Sequence, residues 1–199
     1  MQQIEFMYDF GSPNAYLVHK ILPALAKRCV AEVVYRPILI GGVFKATNNQ
    51  PPLIAFAGIP EKVDYIRVEM ARFLERHKLP FKFNAHFPVN TLNVMRAAVY
   101  ATGKDWENKY IDVVFNAMWV DGKDMSNLDV VAEVLSEAGL PTDDIMNAVQ
   151  DADIKSSLAD ATAAAVARKA YGSPTMFVGK EMFFGKDSLS DLEWRLSQP

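Results

Sequence analysis

Hydrophobic period changes twice within the first 37 residues, and that change restricts the chain to folds with a parallel strand pair at the start. Ile4-Glu5-Phe6-Met7-Tyr8 is apolar, aromatic and partly alternating, the pattern of a strand. From Pro13 to Arg28 the residues Tyr16, Leu17, Ile21, Leu22 and Leu25 fall at helical spacing instead. Glu32 to Arg36, with Val33, Val34 and Tyr35, returns to strand character and ends at Pro37. Strand, helix and strand in this length predict a βαβ unit, because parallel partners need a crossover and a helix supplies it. Between the first two elements stands Ser12-Pro13. Serine is a good N-cap, and proline suits the first helical position because the N–H it lacks would be unpaired there anyway. Ser12 therefore sits at the positive end of a helix dipole, where backbone N–H groups favour an anion.

The middle of the chain is different in kind. Gly41 to Pro60 is rich in glycine, proline and asparagine and reads as an irregular excursion. Helical patterns then cover 61–77, 91–102, 106–120, 128–137, 142–149 and 154–170. Ser126 is expected to cap the fourth of these, and Thr142-Asp143-Asp144 opens the fifth. Helical character ends at Tyr171-Gly172, with Gly172 expected as a left-handed cap. Thr175 to Val178 and Glu181 to Phe184 read as two strands joined at Gly179-Lys180, and a last helix runs from about Ser188 to Leu196. The order βαβ, helical block, ββα is that of an α/β thioredoxin-like domain split by a large all-helical insertion, expected as 1–45 and 171–199 around 46–170; an unrelated α/β fold with a helical lid is the alternative.

Half of the 199 residues are hydrophobic, enough for a substantial core. The net charge of −3, with no basic run, argues against nucleic acid as a partner. No apolar stretch approaches the ~20 residues of a membrane span, and Glu5 and Asp9 interrupt the N-terminal apolar run, so neither a membrane segment nor a signal peptide is expected. A cytoplasmic location fits. Cys29 is the single cysteine, which excludes an intrachain disulfide and a redox pair. His19, His77 and His86 form no recognisable triad or metal-ligand pattern, so no metal is expected; His77 and His86 read as surface or loop residues and His19 lies early in the first helix.

Tyr8-Asp9-Phe10-Gly11-Ser12-Pro13-Asn14-Ala15-Tyr16 resembles the start of the 2-hydroxychromene-2-carboxylate isomerases and the kappa-class glutathione transferases, both with DsbA-like thioredoxin folds. The resemblance continues, in order, through Gly41-Gly42-Val43-Phe44, Asn48-Asn49-Gln50-Pro51-Pro52, Phe115-Asn116-Ala117-Met118-Trp119, Tyr171-Gly172-Ser173-Pro174-Thr175-Met176-Phe177 and Met182-Phe183-Phe184-Gly185-Lys186-Asp187. Where the oxidoreductase branch carries Cys-Pro-x-Cys, this chain has Ser12-Pro13-Asn14-Ala15, with both sulfurs gone.

The resemblance implies glutathione as cofactor. Read from the residues alone, Ser12 is a cap, Asn48-Asn49 a turn, Lys62 a solvated helix lysine, and Lys186-Asp187 the start of the last helix. The resemblance instead implies that Ser12 holds the glutathione sulfur, lowering a thiol pKa from its free value near ~8.5. It implies that Pro174 is cis and that Ser173 offers its backbone to the cysteinyl part, as an added strand would. Asn49 and Lys62 would contact polar groups of the tripeptide. Asp187 would receive its ammonium, with Lys186 on the neighbouring carboxylate in place of a relative's small hydroxyl residue. Phe10, Asn116 and Trp119, with Tyr65, Phe115 and Met118, are candidates to line the pocket of a second substrate, a small aromatic carboxylate; the apolar ones read equally as core. Arg96 or Lys45 would take its carboxylate. The activity implied is glutathione-dependent interconversion of 2-hydroxychromene-2-carboxylate and trans-o-hydroxybenzylidenepyruvate in aromatic-compound degradation, by reversible thiolate addition, in a protein expected to be a homodimer. A kappa-type transferase or peroxidase, and a non-catalytic thioredoxin-like binding module, stay open beside it.

Overall fold

The computed structural model describes residues 1–198. A four-stranded sheet in the order β2-β1-β3-β4 is formed by β1 (Gln2–Tyr8), β2 (Ala31–Pro37), β3 (Thr175–Val178) and β4 (Glu181–Phe184). β1 pairs parallel with β2, Phe6 opposite Tyr35, and antiparallel with β3, Phe6 opposite Met176; β3 and β4 form an antiparallel hairpin. α1 (Pro13–Arg28) makes the crossover between the parallel strands and buries Tyr16, Leu17, Leu22 and Leu25. The opening βαβ and the closing hairpin thus meet along β1, although more than 160 residues separate Met7 from its partner Thr175.

Between β2 and β3 the chain is helical: α2 (Ile40–Thr47), α3 (Pro52–Ala55), α4 (Pro60–His77), α5 (Leu92–Ala101), α6 (Glu107–Asn116), α7 (Leu128–Glu137), α8 (Thr142–Ala148) and α9 (Ala152–Ala167). A short 3₁₀ turn at Lys186–Ser188 leads into α10 (Leu189–Leu196). One hydrophobic core runs from the sheet into this block. Its bridge is aromatic: Phe10 packs edge-on against Phe115 at 4.8 Å and against Tyr110 at 5.9 Å, both from α6, while Tyr8 packs against Phe115 at 5.8 Å. Such ring pairs add about 0.5–1.5 kcal/mol each beyond the area they bury. The buried Tyr110 hydroxyl donates to Val94 O at 2.7 Å.

Several local expectations are corrected. The stretch 41–60 is not irregular throughout, since α2 and α3 lie in it; Val43 is fully buried, and burial outweighs the low helix propensity of Gly41-Gly42. The left-handed residue after α9 is Lys169, φ +69°, and not Gly172. Gly172 is small for another reason: a Cβ there would stand 3.0 Å from the Phe184 ring. The cap of α7 is Asn127, whose side chain accepts from Asp129 N–H, while the Ser126 hydroxyl donates to Asp124. Finally, α6 does not continue regularly to 120 but widens into a π-helical turn over Ala117–Asp121.

Away from the sheet end, His19 ties α1 to β2 and α6. Its Nδ1 accepts from Tyr35 OH at 2.8 Å and its Nε2 donates to Asp112 Oδ1 at 3.2 Å; Lys20 pairs with the same carboxylate. The hydrogen bond from His19 and the charge of Lys20 hold the Asp112 carboxyl well below the usual carboxylate range, against its partial burial. Burial holds the His19 imidazole below its ordinary value, despite Asp112. A carboxyl depressed in the folded state stabilises it above the unfolded pKa of about 3.9, and that contribution is lost as pH falls. Asp112→Asn is therefore expected to lower the melting temperature at pH 7, with the difference from the parent shrinking below about pH 4 in a thermal-unfolding series.

Candidate active site

The loop Asp9-Phe10-Gly11-Ser12 is held at both ends. Ser12 N–H donates to Asp9 O at 3.1 Å, and Ser12 caps α1 by accepting from Ala15 N–H with its Oγ at 3.1 Å. The hydroxyl proton goes elsewhere: Ser12 Oγ donates to Ser173 O at 2.8 Å. The Ser173–Pro174 bond is cis. Ser173 returns a second contact, its Oγ accepting from Asp9 N–H at 3.0 Å. Two reciprocal hydrogen bonds thus join the first loop to the loop before β3.

Other expected site residues gather on the same loop. Asn49 Nδ2 donates to Tyr171 O at 2.7 Å, two residues before Ser173. Gly185 N–H donates to Pro174 O at 3.0 Å, which sets Lys186 and Asp187 directly after the point of contact. Lys186 and Asp187 pair with each other; the Lys186 side chain is only 6% exposed, its ammonium also 5.5 Å from the Phe73 ring of α4, whereas the Asp187 side chain is 72% exposed. Among the described residues, no contact brings Lys62 to this cluster. Its ammonium lies 4.6 Å over the Phe56 ring, a cation–π contact within the α3–α4 corner.

Phe10, Phe115, Met118 and Trp119 have no exposed surface. Trp119 Nε1 donates to Phe10 O at 2.7 Å and its ring stacks on Phe81 at 5.8 Å, so both Phe10 and Trp119 shape the loop from inside the core. Asn116 is partly buried and donates to Asp112 Oδ2 at 3.1 Å, on the side of the His19 cluster. Tyr65 is exposed on α4.

Two residues absent from the expected set matter. Asp9 is fully buried, and its carboxylate accepts from Gly11 N–H, Thr91 Oγ1–H and Ile40 N–H, each at 2.8 Å. Burial pushes its carboxyl up, and those three hydrogen bonds pull against the shift. It clamps the Ser12 loop to the starts of α2 and α5. An acid between two aromatic residues at a strand end was the available signal. Asn14, at the second position of α1, has no carbonyl a turn earlier for its N–H. Its Oδ1 is buried without a partner among the described residues.

The arrangement fits a bound thiol peptide. A helix N-terminus and one hydroxyl face the same point, and the Asn14 amide and side-chain oxygen offer an unmatched donor and acceptor beside them. Ser173 O retains a second lone pair, and Ser173 N–H meets no acceptor among the described residues, as a strand-like contact with a peptide requires. For the Ser12 hydroxyl to reach a sulfur it must turn from Ser173 O, and a charge-assisted bond to a thiolate is the stronger of the two.

The family described as DSBA-like thioredoxin domain matches residues 3–197. The chain is 30% identical over 193 residues to the 2-hydroxychromene-2-carboxylate isomerase of Sphingobium xenophagum, covering 96% of this chain and 95% of that protein. It is 27% identical over 209 residues to glutathione S-transferase kappa 1 of Rattus norvegicus, covering 98% and 91%. A solved structure of a 2-hydroxychromene-2-carboxylate isomerase superposes with a TM-score of 0.85 at 28% identity, covering 98% of this chain and 94% of that one.

Proposed function

The chain belongs to the DSBA-like thioredoxin domain family and, within it, to the 2-hydroxychromene-2-carboxylate isomerase family, and we propose that it is itself a glutathione-dependent isomerase. Its substrate on this reading is 2-hydroxychromene-2-carboxylate, interconverted with trans-o-hydroxybenzylidenepyruvate in the breakdown of aromatic compounds. The observation that carries the reading is the Ser12–Ser173 contact at 2.8 Å, which puts a lone hydroxyl donor at the α1 N-terminus where the oxidoreductases of this fold carry cysteine.

Bound glutathione would supply a thiolate nucleophile whose reversible addition lets a conjugated C=C bond rotate, leaving the cofactor unconsumed. The protein's own part is to hold and orient. Ser12 Oγ–H and Asn14 N–H donate to the sulfur position, favouring its anionic form. Ser173 N–H pairs with the cysteinyl backbone. Asp187, its side chain largely exposed, receives an ammonium, and Lys186, already paired with it, sits beside it for a carboxylate. Asn49 braces the Tyr171 carbonyl so that the loop keeps its shape. Lys62 would join only by leaving the Phe56 ring.

We place the enzyme in the cytoplasm as a homodimer. No helix among the described residues is long and apolar enough to cross a membrane. Ile54, Ile59, Tyr65 and Val68, exposed along α3 and α4, support a second copy there.

The test is turnover of 2-hydroxychromene-2-carboxylate with and without glutathione, followed by titration of free thiol. Conversion that requires glutathione and returns all of it is expected. Consumption of glutathione on a generic electrophile, without conversion, would place the chain with the transferases. In the same assay Asp187→Ala is expected to raise the glutathione concentration at half-maximal rate by about tenfold or more with saturated turnover little changed, since one charge-assisted contact, at least about 1.5 kcal/mol, is removed from binding alone.

A further inference from the structure

Away from the Ser12 loop, one buried side-chain polar atom lacks a hydrogen-bond partner among the described residues: Arg96 Nε, on α5. Arg96 lines a cavity of about 380 Å³ between α2, α5 and α9, a size within the range of small-molecule sites. None of Ser12, Asn14, Ser173, Lys186 or Asp187 lines it, so it stands apart from the place proposed for the thiolate. Leu39, Leu92, Leu158 and Val166 give it apolar walls, and Lys155 is its second cation. Neither an acid nor an aromatic ring belongs to its lining. Its one hydroxyl is already matched, since Thr162 Oγ1 accepts from Leu39 N–H at 3.0 Å and donates to Leu158 O at 2.7 Å. The Arg96 side chain makes no ion pair or hydrogen bond among the described residues, and Lys155 Nζ reaches only Gln150 Oε1, at 3.4 Å.

A guanidinium N–H withdrawn from water without an acceptor is costly, and its acceptor is expected to arrive from outside. Two cations with no acid in apolar surroundings select an organic anion. The planar fork of arginine matches the two oxygens of a carboxylate, and the walls require that the rest of the molecule be apolar. The character of those walls narrows the choice. An aromatic ligand gains most where rings can stack on it or meet it edge-on, and this lining offers none. Leucine, valine and alanine suit a flexible alkyl chain, whose binding rises with each methylene removed from water. The walls are also fixed in place: a Cβ at Gly42 would stand 3.1 Å from Thr162 Cγ2, so α2 lies close on α9.

We propose that this cavity is a binding site for an aliphatic monocarboxylate of medium chain length, with Arg96 on the carboxylate, Lys155 beside it and the chain along the leucine and valine walls. Its ligand is neither glutathione nor the molecule on which a bound thiolate acts. The site therefore rests on no reading of the reaction and stands or falls without it.

The experiment measures calorimetric binding of octanoate to the whole chain, free of glutathione and then saturated with S-methylglutathione. Hexanoate, octan-1-ol and trans-cinnamate are the comparison probes. Arg96→Gln, Arg96→Lys and Ala163→Trp are compared with the parent. Ala163 is an exposed lining position, so the indole fills the cavity without entering the core. Octanoate is expected to bind, and hexanoate to bind more weakly by about fourfold for each methylene lost. Octanol and cinnamate are expected to bind more weakly than octanoate, the first for want of charge and the second for want of rings in the walls. Arg96→Gln is expected to weaken octanoate by about tenfold, Arg96→Lys to recover part of that, and Ala163→Trp to abolish binding. Arg96→Gln is also expected to melt no lower than the parent, because it removes an unpaired donor. S-methylglutathione is expected to leave octanoate bound. Absence of octanoate binding, binding indifferent to both Arg96→Gln and Ala163→Trp, or displacement by S-methylglutathione overturns the site even if the isomerase is active. Octanol binding as tightly as octanoate overturns the anion, and cinnamate binding more tightly overturns the aliphatic chain. Arg96-dependent octanoate binding in a protein without isomerase activity keeps the site and removes only the isomerase reading.

Discussion

Ser12→Ala is expected to lower turnover by about two orders of magnitude and, separately, to destabilise the fold. The two effects have different origins and are read by different measurements. The hydroxyl oxygen caps α1 at Ala15 N–H, and the hydroxyl proton ties that helix to Ser173 O across the sheet. Losing an N-cap costs about 1 kcal/mol, and losing the donor to a buried carbonyl adds about 1 kcal/mol or more. Thermal or denaturant unfolding reports this sum. The catalytic loss comes from the same proton in its other position. Without it, a bound thiol has one fewer donor for its anion and its pKa returns toward ~8.5, so the pH–rate profile moves to higher pH. Removing one preorganised donor from a developing or bound anion costs about 10²–10³ in rate. Ser12→Thr, which keeps both the hydroxyl and the capping oxygen, is the control and is expected to recover much of each loss. If Ser12→Ala loses stability but keeps the parent's pH–rate profile and thiolate absorbance, Ser12 is a cap and nothing more.

What could be read from the chain, and what could not, follows the reach of the interactions. β1, α1, β2 and the closing hairpin are legible because each is specified by residues within one or two turns: the alternating run to Tyr8, the Ser12-Pro13 cap, the Gly179-Lys180 turn. Asp9 is only half legible by the same logic: its place between Tyr8 and Phe10 is a local signal, but its role is not. Of its three partners Gly11 is two residues away, but Ile40 and Thr91 lie 31 and 82 residues away, so what the carboxylate clamps together can be seen only in the fold. Gly172 was legible as a needed glycine but not for its reason, since the Phe184 ring that crowds it comes from the far strand of the hairpin. The helical spacing of Phe115 and Trp119 is the same whether those rings face a substrate or the core, and here they face the core. Lys186 illustrates a third limit. A lysine beside an aspartate reads, from the residues alone, as the start of the last helix, and only the fold puts it against Phe73 and out of water.

Trp119 is where core and site are hardest to separate, and substitution there divides them. Trp119→Ala is expected to cost about 3–5 kcal/mol, the range for emptying a large aromatic site in a packed interior. That variant says little about function, because the cavity it leaves adjoins Phe10 and the Ser12 loop. Trp119→Phe is the informative change. It keeps a ring against Phe81 but removes the Nε1–H that donates to Phe10 O at 2.7 Å. A buried carbonyl deprived of its donor costs about 1–3 kcal/mol, and this one belongs to a residue two places before Ser12. The expected result is a lower melting temperature, a reduced kcat as the loop loses its brace, and a KM for the carboxylate substrate that changes less, because the indole has no exposed surface with which to touch it. A raised KM with an unchanged melting temperature would mean the reverse: that the indole reaches the substrate.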